Sequence, residues 1–286
     1  MKILITGGNG MLGHQMYLSF KETHDVYATF RQDFSTYEKF GLFDPKKCFG
    51  NLSAENISGF EEVISTLKPD AVVNCIGAIK QKDDDKTINE KVNGEFPHKL
   101  AAICEEQGCR LIHFSTDCVF SGTKGAYREN DPSEVQDNYG KTKFAGELRD
   151  YPHCLTIRAS FIGYELDMVS GLFEWFLSQK GNTIKGFTNA IFTGFTTREM
   201  CRIVEMILTK HQEMSGLYHV SATPISKFDL LKKIEERMKL GITILPSDDF
   251  HCDRSLDSQS FRDATGYVPP SWDEMINELA LIKRPY

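Results

Sequence analysis

The fold of this chain is decided by residues 2–13, which read KILITGGNGMLG. The apolar residues of Lys2–Thr6 are typical of a buried strand, and the apolar spacing over Met11–Phe20 is typical of a helix. The glycines between and within them form the pattern Gly-x-x-Gly-x-x-Gly. This pattern permits a tight turn and lets the backbone approach a diphosphate at a helix N-terminus. The junction therefore predicts a dinucleotide site, whose contacts we expect to be Gly7, Asn9, Gly10, Met11 and Leu12.

Short β-rich runs keep alternating with helical patterns through the first half of the chain, which is typical of βαβ units in a parallel sheet. The predicted strands are Lys2–Thr6, Asp25–Thr29, a weak one at 47–51, then 71–76, Arg110–Ser115 and Cys154–Arg158. The predicted helices are Met11–Phe20, Ile57–Leu67, 94–106 and 139–148. Right-handed crossovers would assemble these units into an α/β fold, a doubly wound parallel sheet of the Rossmann type.

Beyond residue 158 the pattern is less regular, and we expect a smaller C-terminal substrate lobe that is interleaved with the first domain. Helices are predicted at 168–179, Thr197–Lys210, 227–239 and Trp272–Leu281, with a late strand at 217–220. The Rossmann domain is predicted to span 1–160, with 186–215 returning to it. The substrate lobe is predicted to span 161–185 and 216–286.

Composition restricts the class of protein. The 286 residues are 41% hydrophobic and 26% charged, which is ordinary for a globular protein with a large core. A net charge of −7 argues against broad binding to nucleic acid or to an anionic membrane. No apolar run is long enough to span a bilayer, and the chain enters its first strand at Lys2 without room for a signal peptide. A cytoplasmic location is therefore expected.

Cysteine spacing argues against a metal site. The eight cysteines show no Cys-x-x-Cys pair and no Cys/His cluster, so buried reduced thiols are expected and no metal is predicted. The acidic run at 83–85 is interpreted as a solvated loop. His113 and His219 lie in strand patterns and are interpreted as satisfied core groups.

The residues after the second, third and fourth strands indicate which dinucleotide would bind. The acidic residue that holds the ribose hydroxyls of NAD is missing after the second strand, where Arg31 stands instead. A guanidinium suits the 2′-phosphate of NADP, so NADP(H) is favoured, while Asp33 nearby keeps NAD(H) open. Further cofactor contacts are expected from Asn51, Leu52, Cys75, Ile76 and Gly77.

A hydroxyl, a phenol and an ammonium lie downstream of the glycine loop. Thr116 follows the fifth strand, and Tyr139 and Lys143 are four residues apart, about one helical turn. A phenol beside an ammonium ionises more readily than usual, so with a dinucleotide nearby the three residues suit proton relay with hydride transfer. The spacing alone is weak evidence, because Tyr17 and Lys21 share it in a helix where a structural role is expected.

These motifs resemble the extended short-chain dehydrogenase/reductases, and most of all the dTDP-4-dehydrorhamnose reductase branch. The resemblance is carried by residues 6–13, by STDCVFSG at 115–122, by YGKTK at 139–143 with Gly146 and Glu147, and by Arg158. A weaker match is DRSLD at 253–257. The resemblance spans nearly the whole chain and is dense before Arg158.

The resemblance implies an NADPH-dependent reductase of a keto group on a nucleotide-diphosphate sugar, of the 4-keto-6-deoxy type or related, that feeds surface polysaccharide synthesis. Tyr139 would be the general acid. Lys143 would bind the nicotinamide ribose and, with the charge of the oxidised ring, lower the pKa of the phenol, and Thr116 would hold the substrate oxygen and the phenol in line.

The resemblance also implies substrate contacts from Asp117 and from the positions that Cys118 and Phe161 occupy, whereas Arg254 could meet a substrate diphosphate or be a surface charge. Cys118 stands where the family usually has Tyr, and Phe161 stands where rhamnose-pathway reductases usually place Trp. These differences leave the reductase chemistry intact and leave the identity of the sugar open.

Two other functions remain open. An epimerase would retain NAD(H) and recycle the hydride, whereas a dehydratase would need Glu after Asp117, where this chain has Cys118. A regulatory subunit would bind NADP and turn nothing over, a role that does not need the complete set of Thr116, Tyr139 and Lys143. The oligomeric state is open as well, and a homodimer is the first assembly to test because it is the commonest.

Overall fold

The computed structural model describes residues 1–79, 86–166 and 170–282. Its strands are β1 (Lys2–Thr6), β2 (Asp25–Thr29), β3 (Cys48–Phe49), β4 (Ala71–Asn74), β5 (Arg110–Ser115), β6 (Cys154–Arg158), β7 (Phe161–Ile162), β8 (Thr183–Phe187), β9 (Ala190–Phe192), β10 (Phe195–Thr196), β11 (Gly216–His219), β12 (Ile225–Ser226), β13 (Thr243–Ser247) and β14 (Cys252–Asp253). Its α-helices are α1 (Met11–Phe20), α2 (Ser35–Glu38), α3 (Ile57–Leu67), α4 (Lys86–Asn89), α5 (Phe96–Glu106), α6 (Asn138–Ala145), α7 (Leu172–Ser178), α8 (Thr197–Lys210), α9 (Lys227–Met238), α10 (Gln259–Thr265) and α11 (Trp272–Leu281). A π-helical segment at Glu90–Glu95 joins α4 to α5, and short 3-10 turns lie at Pro45–Lys47 and Asp117–Val119. The acidic run at 83–85 and the start of the helix predicted at 168–179 lie outside the described residues.

Parallel strands form a large sheet in the order β11-β6-β5-β4-β1-β2-β3. The chain winds outward from β1 on both sides, which confirms the predicted doubly wound Rossmann fold. The apolar run of β1 is explained by burial on both faces, because Ile3 and Ile5 join one core cluster while Leu4 joins another. Because the strands are parallel neighbours, β1, β2, β3 and β4 all end at the same edge of the sheet, and the loops that follow them lie together.

The second half of the chain adds small sheets to this domain. β8 pairs with β13, β9 pairs with β12 and β14, and β7 pairs with β10. α8 packs against α1, so this later helix lies on the Rossmann domain. β11 pairs with β6 inside the large sheet, so the predicted domain boundary at residue 216 falls one strand too early. The rest of the division into two lobes stays a prediction.

Two helices on either side of the site differ from their predicted bounds by more than one residue. The helix predicted at 94–106 is the last part of a longer helical stretch. Helical structure begins already with α4 and continues through the π-helical segment into α5. The helix predicted at 139–148 ends at Ala145, because Gly146 closes it. A Cβ atom on Gly146 would lie 3.0 Å from the carbonyl carbon of Asn93, so a glycine is needed where the helix end meets the π-helical segment.

The copy of the Tyr-x-x-x-Lys spacing in α1 is structural, as predicted. Tyr17 is 2% exposed and stacks obliquely on Phe43, and its hydroxyl accepts the backbone N–H of Asp44 at 3.0 Å. Lys21 lies on the surface. Within the described residues, no helix combines the length and apolar character needed to cross a bilayer.

Candidate active site

The loops after β1, β2, β3 and β4 carry the residues predicted for the cofactor other than Tyr139 and Lys143. The first loop places Gly7, Asn9 and Gly10 before α1, with Met11 and Leu12 in its first turn. Arg31 follows β2, Asn51 and Leu52 follow β3, and Cys75, Ile76 and Gly77 follow β4. Because these strands are neighbours in the sheet, the residues line one continuous edge.

The geometry of the first loop fits a diphosphate. Gly7 has a φ of +74°, and its carbonyl accepts the N–H of Gly10 at 3.0 Å. A Cβ atom on Gly13 would lie 2.9 Å from the carbonyl carbon of Gly7, so the helix can approach the loop this closely only without a side chain. Within the described residues no side chain caps the start of α1, and its first turn has no acidic residue. The helix N-terminus therefore offers backbone N–H groups and a positive dipole end to an anion.

The residues after β2 include a cation and a carboxylate that differ in their hydrogen bonding. Arg31 is exposed and makes no hydrogen bond or ion pair to another described residue. Asp33 accepts the Ser35 hydroxyl at 2.6 Å, the Ser35 N–H at 3.0 Å and the Asn51 side-chain amide at 3.2 Å. These bonds, that of the Ser35 hydroxyl first, lower the pKa of Asp33. The Arg31 guanidinium is thus available to pair with a phosphate, whereas the Asp33 carboxylate already accepts hydrogen bonds from Ser35 and Asn51.

The predicted adenine contacts are only partly available. The Asn51 amide is used by Asp33, and Asn51 has a φ of +59°. The Leu52 side chain is buried in the core cluster that includes Phe60 and Phe96. Their roles at the adenine stay predictions.

The backbone of the loop after β4 is held by two asparagines that the sequence analysis did not assign to the cofactor site. Asn74 accepts the N–H of Ile76 at 3.1 Å, and Asn93 bonds both the N–H and the carbonyl of Ala78, at 3.0 and 3.1 Å. A Cβ atom on Gly77 would lie 3.9 Å from Lys143 Nζ, so this loop runs directly beside the ammonium. Burial raises the pKa of the Cys75 thiol, which therefore stays protonated.

Thr116, Tyr139 and Lys143 converge at the end of β5, next to that loop. Lys143 Nζ donates to the carbonyl oxygen of Phe114 at 2.7 Å. The Thr116 hydroxyl donates to Asp117 at 3.1 Å and accepts the N–H of Cys118 at 3.1 Å, so it also caps the 3-10 turn at Asp117–Val119. The same hydroxyl lies near enough to the Tyr139 phenol to lower the pKa of that phenol.

The pKa values of these groups are set mainly by burial. Burial raises the pKa of Tyr139, the charges of Cys118 and Asp117 raise it further, and the Thr116 hydroxyl opposes them. This direction is opposite to the expected lowering by Lys143. The physical reason is that desolvation dominates and that the ammonium points to the Phe114 carbonyl. Burial likewise lowers the pKa of Lys143 to about 8, and Glu147 opposes the change.

A segment from the far end of the chain covers the side of the site where the substrate residues were predicted. Arg254 Nη1 donates to the Cys118 sulfur at 3.3 Å, although the two residues are 136 positions apart. Two backbone hydrogen bonds hold the segment around Arg254 in this place. The N–H of Asp253 donates to the carbonyl of Gly122 at 2.7 Å, and the N–H of Tyr127 donates to the carbonyl of Ser255 at 2.8 Å. Burial raises the pKa of Cys118 to about 12. Among the described residues, Arg254 Nε is buried without a hydrogen-bond partner.

The remaining predicted substrate residues also lie here. Asp117 is buried next to Thr116, and Phe161 packs edge-on against Phe114 at 6.1 Å between ring centroids. The structure thus places the predicted residues Asp117, Cys118, Phe161 and Arg254 around the end of β5. Their contact with a substrate stays a prediction.

A buried charge network behind the site was missed by the sequence analysis. The Glu147 carboxylate accepts Arg158 Nε at 2.6 Å, Arg158 Nη2 at 2.8 Å and the Ser115 hydroxyl at 2.7 Å. Arg158 also donates to His219 Nε2 at 3.1 Å, and His219 Nδ1 bonds the carbonyl of Tyr127 at 3.0 Å. His219 is therefore a satisfied core group, as predicted. Glu147 and Arg158 were both named among the motifs of the sequence analysis. Their pairing could not be predicted, because no local sequence pattern reports a contact between separate elements.

The site combines a phenol, an ammonium and a hydroxyl at the carboxyl edge of a doubly wound sheet, and it lies beside an uncapped, glycine-rich helix start. This combination defines the extended short-chain dehydrogenase/reductase class. Within that class the chain belongs to the family described as the RmlD substrate binding domain, which matches residues 1–281. This match confirms the resemblance drawn from the motifs.

Several known proteins are similar over most of the chain. The probable low-salt glycan biosynthesis reductase Agl14 of Haloferax volcanii is 30% identical over 265 residues, which cover 86% of this chain and 83% of that protein. The methionine adenosyltransferase 2 subunit beta of Danio rerio is 27% identical over 84% of this chain and 74% of its own. A crystal structure of dTDP-4-dehydrorhamnose reductase from Bacillus anthracis in complex with NADP superimposes with a TM-score of 0.79 at 21% identity, over 97% of this chain and 98% of that one.

Proposed function

We propose that this protein is a cytoplasmic, NADPH-dependent reductase of a keto group on a nucleotide-diphosphate sugar, and that its product feeds surface polysaccharide synthesis. The observation that carries the proposal is the convergence of Thr116, Tyr139 and Lys143 beside the loop after β4. The names of the similar proteins support the reaction class, since one is a glycan biosynthesis reductase and another a nucleotide-sugar reductase bound to NADP.

The glycine loop and Arg31 would hold the cofactor. The N–H groups at the start of α1 would bind the diphosphate, and Arg31 would pair with the 2′-phosphate. The bonds of Asp33 to Ser35 and Asn51 disfavour its use for the ribose hydroxyls. When bound, NADPH supplies the hydride that reduces the carbonyl carbon.

The chain's own residues would handle the proton. Tyr139 would donate its phenolic proton to the carbonyl oxygen, and its raised pKa keeps it protonated before reaction. The Thr116 hydroxyl would fix that oxygen in line with the phenol. Lys143 would turn from the Phe114 carbonyl to the nicotinamide ribose, where its charge favours loss of the Tyr139 proton.

The test is NADPH consumption with a panel of nucleotide-linked keto-sugars that vary in base and in the position of the keto group. We expect consumption with at least one member and weaker or no consumption with NADH. Tight binding of NADPH without consumption across the panel would contradict the proposal.

A second candidate is a non-catalytic subunit that binds NADP. It is favoured by the 27% identity to a methionine adenosyltransferase subunit. Binding of NADPH with no turnover on the panel, together with a stable complex with a second enzyme, would support this candidate.

A further inference from the structure

Two opposite charges after β2 lie close together in the chain and do not form an ion pair. Arg31 and Asp33 are two residues apart and both exposed, yet Arg31 makes no hydrogen bond or ion pair to another described residue. Asp33 instead accepts hydrogen bonds from three neutral donors. A guanidinium and a carboxylate in such proximity attract each other, so the three bonds keep apart two charges that would otherwise pair.

The three bonds occupy both oxygens of the Asp33 carboxylate. Oδ1 accepts the Ser35 hydroxyl at 2.6 Å and the Ser35 N–H at 3.0 Å, and Oδ2 accepts the side-chain amide of Asn51 at 3.2 Å. Ser35 is the first residue of α2, whereas Asn51 lies in the loop after β3. The carboxylate is therefore held from two separate parts of the chain.

The loop after β3 lies directly against the backbone of Asp33. A Cβ atom on Gly50 would lie 2.6 Å from the backbone nitrogen of Phe34 and 3.1 Å from the Cα atom of Asp33, so this approach needs a glycine. Asn51 follows with a φ of +59°, and its N–H donates to the carbonyl of Gln32 at 3.0 Å. Asparagine adopts this conformation more readily than most residues, and unlike glycine it has an amide that reaches Asp33.

A released Asp33 carboxylate would oppose the binding of NADPH in two ways. It would pair with Arg31 and so neutralise the cation that is expected to meet the 2′-phosphate. It would also accept the ribose hydroxyls, as an acidic residue in this region does in NAD sites, and its charge would repel a 2′-phosphate. Both changes lower the affinity for NADPH, and the second raises the affinity for NADH.

We propose that Ser35 and Asn51 are specificity-determining residues of the cofactor site, which favour NADP(H) over NAD(H) by holding the Asp33 carboxylate away from Arg31. This role rests on the proposed contact of Arg31 with the 2′-phosphate. It concerns binding of the dinucleotide alone, so it is measured without a keto-sugar. Failure of every keto-sugar to react would contradict the proposed reaction and would leave the binding measurement to decide the role of Ser35 and Asn51.

The experiment is a fluorescence titration of NADPH and of NADH, and the quantity compared is the ratio of the two Kd values. Ser35→Ala and Asn51→Gly each remove one side-chain donor, and glycine keeps the positive φ at position 51. We expect the preference for NADPH to fall about two- to threefold in each variant and about tenfold in Ser35→Ala/Asn51→Gly, in line with the loss of exposed hydrogen bonds. Ser35→Thr keeps the hydroxyl and should keep the preference. Loss of an adenine contact from Asn51 would weaken both cofactors alike and cancel in the ratio.

Asp33→Ala separates this role from a structural one. The substitution removes all three bonds together with the carboxylate, so the preference for NADPH should stay at the wild-type value or rise. If the bonds only shaped the turn after β2, Asp33→Ala would lower the preference instead. Asp33→Ala added to Ser35→Ala/Asn51→Gly should also restore the preference, because no carboxylate is then left to release.

Three results would overturn the proposal. The first is a preference in Ser35→Ala/Asn51→Gly that equals that of the wild type, and the second is a loss of preference that Asp33→Ala does not restore. The third is a wild-type protein that binds NADH as tightly as NADPH. The three substituted side chains are exposed, so all variants should fold, and thermal unfolding of the same samples checks this.

Discussion

Gly13→Ala should abolish most of the cofactor affinity. The added Cβ atom would lie 2.9 Å from the carbonyl carbon of Gly7 and closer still to its oxygen, whereas ordinary contacts begin at 3.4 Å. The loop and α1 must therefore separate by about 1 Å, a displacement large enough to break aligned contacts to a ligand. Loss of one hydrogen bond to a charged phosphate costs about 1.5–3 kcal/mol, so NADPH should bind about 10- to 100-fold more weakly.

The assay is titration of NADPH fluorescence, with thermal unfolding of the same samples. Overpacking also destabilises a protein by about 1–3 kcal/mol, so the control must carry a similar clash elsewhere. Gly194→Ala provides it, since its Cβ atom would lie 2.7 Å from the carbonyl carbon of Ser160, away from the loop. We expect a lower Tm in both variants and weak NADPH binding only in Gly13→Ala. Wild-type affinity in Gly13→Ala, or an equal loss in both, would refute this account of the loop.

Three further substitutions test separate parts of the site. Arg31→Ala should weaken NADPH binding about tenfold or more and leave NADH binding unchanged, because NADH lacks the 2′-phosphate with which Arg31 would pair; equal loss for both cofactors would contradict this. Thr116→Val should lower kcat by about 10- to 100-fold with little change in NADPH affinity, and unchanged kcat would exclude a role for the hydroxyl. Lys143 has a folded-state pKa of about 8, below its ordinary 10.5, so the unfolded chain binds its proton more tightly and wild-type stability rises with pH between these values. The stability of Lys143→Met relative to wild type should therefore fall by up to about 3 kcal/mol between pH 7 and pH 10.5, measured by urea unfolding, and a constant difference would contradict the shift.

The large sheet could be predicted from sequence because its signals are local. The central strands are buried along nearly their whole length and are mainly apolar, and Lys2–Thr6, Arg110–Ser115 and Cys154–Arg158 were predicted with the observed bounds, as was Asp25–Thr29 beside them. The small sheets of the second half gave no such signal. Their strands are mostly two or three residues long and pair with partners distant in the chain, such as Ile225–Ser226 with β9.

The candidate site shows the same contrast. Thr116, Tyr139 and Lys143 could be found because each stands in a short motif at a predicted element boundary. The contact of Arg254 with Cys118 and that of Glu147 with Arg158 depend on how distant segments pack, which periodicity does not report. The expectation that the neighbouring Lys143 by itself eases ionisation of the Tyr139 phenol was wrong for a related reason, since desolvation is a property of the folded site and not of spacing.

The tyrosine pair in the sequence offers the most direct test of the central claim, that Tyr139 delivers the proton. Turnover and NADPH affinity are measured for Tyr139→Phe and for the matched control Tyr17→Phe, on the keto-sugar that supports the fastest NADPH consumption. The account predicts that Tyr139→Phe loses at least about 10²-fold in kcat with nearly unchanged NADPH affinity, while Tyr17→Phe keeps its turnover. Turnover in Tyr139→Phe within a few-fold of the wild type would contradict the account.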